Sequence, residues 1–148
     1  MANDVEKIKL NKFGIRRTVS VKITVGQIDR LQDFTMTMLE LELKRDELLE
    51  QSDDVKSNLD FLINEKNIQK AQREFLQNNF KITDEELQDI LESISKKQFE
   101  EAFGYVTDRM RGVTDEQYNL AVKMEERRAK EEAENPKEEE TESEDLTD

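Results

Sequence analysis

The hydrophobic residues of this chain change their period once, at Gly26, and do not change back. Before it, Val19, Val21, Ile23 and Val25 alternate with Thr18, Ser20, Lys22 and Thr24, the period of two that turns one face of a strand inward. Ile8 and Leu10 alternate with Lys7 and Lys9 in the same way, and Asn11 to Gly14 supply turn residues between the runs. The pattern predicts a β-hairpin of residues 5–10 and 17–25. An isolated hairpin is marginal in water, so its valine face needs a helical partner.

Beyond Gly26 the helical period holds for about a hundred residues. Thr24 and Gln27 have capping-box spacing, and Ile28, Leu31, Phe34, Met38, Leu41 and Leu48 then mark one stripe of a helix reaching residue 50. Ser52, Asp53 and Asp54 form a polar break with N-cap chemistry. A second helix is predicted to residue 78, with Val55, Leu59, Leu62, Ile63, Ala71 and Phe75 as its core face. So short a link makes the two helices antiparallel neighbours.

One local pattern occurs twice. Ile82-Thr83-Asp84-Glu85-Glu86-Leu87 and Val113-Thr114-Asp115-Glu116-Gln117-Tyr118 each set a threonine cap three residues before Glu or Gln, with an apolar residue before the cap and another four after it. Each is a capping box with a hydrophobic staple, and the acids of the first turn suit the helix dipole. The segments that follow differ in length and pattern, so these are two independent caps rather than a repeat. The third helix carries Leu87, Ile90, Leu91 and Ile94, then Phe99, Ala102, Phe103, Val106 and Met110, with Ser95 or Gly104 as a break and Gly112 as a stop. The fourth has only Tyr118, Ala121 and Val122 for a core before it turns to Glu, Arg, Lys and Ala and meets Pro136. The expected fold is mainly α with a small N-terminal β-hairpin (about 5–25): a four-helix, bundle-like body forming one domain at 1–130, and a disordered acidic C-terminal tail at 131–148.

Charge follows the same division. Of the formal net charge of −13, residues 131–148 contribute −9, from ten acids and the single base Lys137. The body is close to balance, with 26 acids and 22 bases in residues 1–130. There is no excess of Lys and Arg to displace counterions, so neither nucleic acid nor an anionic membrane is an expected partner. No stretch approaches the roughly 20 apolar residues of a membrane span. The opening Met-Ala-Asn-Asp-Val-Glu lacks the basic and apolar regions of a secretory signal. With zero cysteine and no disulfide framework, the expected location is the cytoplasm.

The chain has no histidine, cysteine or tryptophan, which removes the commonest general base, the commonest metal ligand and the thiolate nucleophile. Adjacent acids such as Glu85-Glu86 and Glu100-Glu101 point in different directions on a helix and read as a solvated face rather than a catalytic pair. The EF-hand spacing is missing, and Gly14, Gly26, Gly104 and Gly112 form no phosphate-binding loop. Phe99, Phe103 and Tyr105 lack the basic neighbours of a base-stacking platform and read as core. No catalytic residue, cofactor or metal is expected.

The first long helix remains. Arg45 interrupts its heptad, so the main stripe reads as intramolecular core before an oligomer seam. Met36, Leu39 and Leu43 lie off that stripe. A helix apolar on more than one face is buried on two sides or waits for a partner, and these three are the candidate partner-binding residues.

The layout resembles the tail assembly chaperones of long-tailed bacteriophages of Gram-positive hosts. The resemblance lies in the opening run Arg17 to Val25 feeding directly into a helix, and in Leu91-Glu92-Ser93-Ile94 leading to Phe99-Glu100-Glu101-Ala102-Phe103-Gly104, an acidic helix ending in Phe-Gly. Residues 44–78 form a longer charged helical pair than that layout has. The resemblance implies a non-enzymatic chaperone in the host cytoplasm that coats a tape-measure protein and recruits tail-tube subunits. The alternatives are a helical scaffold that oligomerises through its long helices, making homo-oligomers, and an acidic inhibitor that mimics nucleic acid.

Overall fold

A computed structural model describes residues 5–51 and 53–134; Ser52 of the expected break and residues 135–148 of the expected tail lie outside the described residues. Strands β1 (Val5–Lys9) and β2 (Thr18–Lys22) pair antiparallel, with Ile8 opposite Val19 and Glu6 opposite Val21. A single 3-10 turn, Asn11–Phe13, joins them and closes on Gly14 at φ +86°, a left-handed backbone that only glycine adopts without strain. The strands are shorter than expected. Thr24 is already the N-cap of the first helix, its hydroxyl accepting from the Gln27 N–H at 3.0 Å, so Val25 is helical and lies 89% exposed.

Five helices follow among the described residues: α1 (Val25–Glu50), α2 (Val55–Phe80), α3 (Asp84–Ser93), α4 (Lys96–Met110) and α5 (Asp115–Glu134). The expected third helix is two. Ile94 is extended, and Ser95 caps a new helix by accepting from the Gln98 N–H; a Ser with Gln three residues on is itself a capping signal. Phe103-Gly104 therefore sits inside α4 rather than at a helix end. The chain forms two compact units, the first ending at Gly112 and the second beginning at Val113. Gly112 itself has φ +96°, as suits a helix stop.

Within the first unit the core is threaded by phenylalanine. Phe13 stands edge-on to Phe99 at 5.7 Å, Phe99 lies 6.1 Å from Phe103, Phe103 lies 5.6 Å from both Phe34 and Phe75, and Phe75 meets Phe80 at 6.5 Å. This chain of rings ties the 3-10 turn, α1, α2 and α4 together, and such aromatic pairs add to the burial of their area. The hairpin packs on α4 with Ile8, Leu10 and Phe13 almost fully buried. Arg109 of α4 reaches the same hairpin: it pairs with Glu6 at 3.1 Å and donates to the Lys7 carbonyl at 2.9 Å.

Both threonine caps form. Thr83 accepts from the Glu86 N–H at 3.1 Å while Glu86 accepts from the Thr83 N–H at 3.0 Å, and Thr114 with Gln117 repeats the exchange. Glu86 also takes Arg17 at 2.8 Å, and Arg17 donates to the last carbonyls of α2, at Phe80 and Lys81. One guanidinium thus holds the end of α2 against the start of α3. The hydrogen bond from Thr83 and the charge of Arg17 hold the Glu86 carboxyl below the usual carboxylate range.

Thr83→Ala should cost about 0.5–2 kcal/mol, the usual loss for an N-cap. Thr114→Ala should cost less, because α5 buries none of its side chains; paired urea titrations rank the two. The Glu86 contribution is complete above the unfolded carboxylate range and disappears as pH falls through the lower folded value. Glu86→Gln keeps a capping amide but should flatten that part of the acid-unfolding profile.

Candidate partner-binding site

Helices α1 and α2 pair antiparallel, and the seam between their distal halves is unusually polar. Asn64, 1% exposed, donates to the Leu41 carbonyl at 3.0 Å, and Arg45 forms a two-point pair with Glu65. The Glu65 hydrogen bond holds the Arg45 guanidinium above its ordinary pKa. Between residues 36 and 66, Leu48 and Asn64 are the only described side chains that are buried. A buried asparagine in a helical seam fixes register at some expense of stability. This distal pair is an arm held by position-specific contacts more than by apolar area.

Its apolar surface faces outward. Met36, Leu39 and Leu43 of α1 are 59%, 54% and 64% exposed, and their spacing of three and four sets them on one stripe. That stripe lies on the side of α1 away from the Leu41, Arg45 and Leu48 seam. These are the three candidate partner-binding residues, and all three stand in solvent.

The core face expected on α2 is corrected. Phe75 is buried and Ala71 half-buried, but Val55, Leu59, Leu62 and Ile63 are 50–85% exposed. The side chains α2 does bury are Asn64, Ile68, Phe75, Leu76 and Phe80. A two-helix arm offers each helix one neighbour, and the neighbour here takes the polar side of α2. The four apolar residues form a second outward stripe, which sequence reasoning had assigned to the core. The surplus of apolar positions over what Leu41, Arg45 and Leu48 can cover was the available signal.

A cleft of about 300 Å³ lies between α2 and the α3–α4 corner, lined by residues that include Gln72, Arg73, Ile90, Ile94 and Phe99. Its one carboxylate, Glu100, has no second carboxylate beside it in the lining, so it lacks the paired acids of general acid–base work. Among the described residues no cluster of His, Cys, Asp or Glu is arranged to hold a metal ion, and no helix is long and apolar enough to cross a membrane. What the arm can do chemically is bury apolar helical surface against another chain. No curated protein and no solved structure matches this sequence. The family model for phage tail assembly chaperone proteins matches residues 6–128, from the hairpin through most of α5, and the chain belongs to that family.

Proposed function

We propose that this tail assembly chaperone is a non-enzymatic holder of apolar helical segments, acting in the host cytoplasm. Its first client is the tape-measure protein, to which it brings tail-tube subunits, and its holding surface is the outer stripe of α1. The observation that supports this is the run Met36, Leu39 and Leu43, each more than half exposed on one helix face. Isolated exposed apolar residues are ordinary, but an aligned run on an otherwise charged helix marks an interaction surface. The acids of residues 131–148 would keep a protein with so much exposed apolar surface in solution.

Met36→Glu and Leu39→Glu should each fold as the wild type does and lose co-purification with a tape-measure fragment. Leu31→Glu is the contrast, since Leu31 is 3% exposed and burying an unpaired carboxyl there costs several kcal/mol whether it stays charged or takes up a proton. Circular dichroism reports folding and co-purification reports capture. If Met36→Glu and Leu39→Glu fold and still capture the fragment undiminished, the partner surface lies elsewhere.

A further inference from the structure

Among the described residues, the buried or half-buried arginines are Arg17, Arg45, Arg73 and Arg109. Arg17 pairs with Glu86, Arg45 with Glu65 and Arg109 with Glu6. Arg73 alone of the four has no carboxylate partner among the described residues. A guanidinium drawn out of water without a partner is costly, and the three that hold the fold together are all paired. Arg73 instead lines the cleft between α2 and the α3–α4 corner.

That cleft is apolar on one wall and basic on the other. Ile90 is 1% exposed, and Ile94 and Phe99 beside it are half-buried. Phe13 and Phe103 back the Phe99 ring, so this wall is in place before anything binds. On α2, Lys66, Lys70 and Arg73 follow one another at steps of four and three, which sets them on one stripe with Gln69 and no acid. Lys96 stands exposed in the lining, and Glu100, the one acid there, is also exposed and does not pair with Arg73. The volume of about 300 Å³ lies at the small end of ligand pockets. It admits a side chain or two rather than a helix.

We propose that this cleft is a second docking site, and that its occupant is an acidic segment of a partner protein in which an apolar side chain stands beside Asp or Glu. The apolar side chain packs against Ile90, Ile94 and Phe99. The neighbouring carboxylate supplies the missing partner of Arg73, whose fork can hold it at two points. Gln69 and Gln72, half-buried in the same lining, offer amides to the peptide backbone. Further acids of the segment run along Lys70 and Lys66, where the surface charge is complementary. The site shares no residue with the α1 stripe, so one chaperone can hold a helical client and an acidic partner together.

Titration of the full-length chain with the peptide Glu-Glu-Leu-Asp-Glu, followed by the backbone amide shifts in NMR spectra, tests the assignment. The amides of Gln72, Arg73, Ile94 and Phe99 should move together. Replacing the leucine of the peptide by serine should abolish the shifts, and so should replacing its acids by lysine. Arg73→Gln should weaken binding about tenfold, the loss of one charge-assisted contact. Lys96→Gln, at an exposed side chain, should weaken it about twofold and repeats the test if Arg73→Gln does not fold. Undiminished binding by folded Arg73→Gln, or by Lys96→Gln where Arg73→Gln does not fold, overturns the proposal, as does equal binding of the serine or the lysine peptide, or no shift at all. A thymidine oligonucleotide that moves the same amides more strongly than the peptide also overturns it, since the rim would then read phosphate. So does a peptide that binds Leu146→Ser but not the wild type, which would give the cleft to the only leucine of residues 131–148. Failure here is separable from failure of the holding role: Arg73→Gln should capture the tape-measure fragment as the wild type does, and Met36→Glu should bind the peptide undiminished.

Discussion

Phe103→Ala should cost about 3–5 kcal/mol, the range for removing a buried ring that its surroundings cannot replace. Phe103 is 8% exposed and lies within 5.6 Å of both Phe34 and Phe75, and 6.1 Å from Phe99. It is therefore where the rings from α1, α2 and α4 meet, and none of these neighbours can close the space without leaving its own contacts. Against a typical total of about 5–15 kcal/mol, the loss should bring the urea midpoint down steeply with little change in slope. A shift below about 1 kcal/mol would mean that α4 does not pack where the rings place it.

The second large effect concerns the Glu6–Arg109 pair, and its asymmetry is the point. The Arg109 side chain is 6% exposed and that of Glu6 is 30% exposed. Glu6→Ala deprives a buried guanidinium of this carboxylate and should cost about 2–3 kcal/mol, discounted from the fully buried case because Glu6 is partly solvated. Arg109→Met removes the buried charge itself, and Glu6 can turn to water, so its cost should be the smaller of the two. Thermal melts of both variants decide the order, and the reverse order would place the desolvation burden on Glu6.

What the sequence made legible was chiefly what is decided locally. Thr83 and Thr114 cap as their spacing predicts, because a cap is closed by residues three positions apart. Gly112 stops a helix for the same kind of reason. The Ser95 break was one of two positions the pattern allowed, and Gly104 loses because the Ser95 hydroxyl accepts from the Gln98 N–H and so caps the helix that follows. The face of α2 was misread for a tertiary reason. Periodicity reports that a helix has an apolar side but not that this side is buried, and here the buried side carries Asn64 while Val55, Leu59 and Leu62 stay outside. Arg109 was invisible as a core residue because its partners lie about a hundred positions away, in β1. On α1, Met36, Leu39 and Leu43 stay exposed, since two separate apolar stripes on one helix cannot both meet a single neighbour.

The polar seam of the arm has an energetic corollary. With Leu48 and Asn64 as the only buried side chains among the described residues of 36–66, opening the arm exposes little new hydrocarbon, so local melting is opposed by few contacts. Any chain that covers an outer stripe adds its binding free energy to that local balance. For the distal halves of α1 and α2, association and ordering are then one equilibrium, and the backbone amides there should exchange with solvent at a rate set by occupancy. The arm grows rigid in proportion to what it holds.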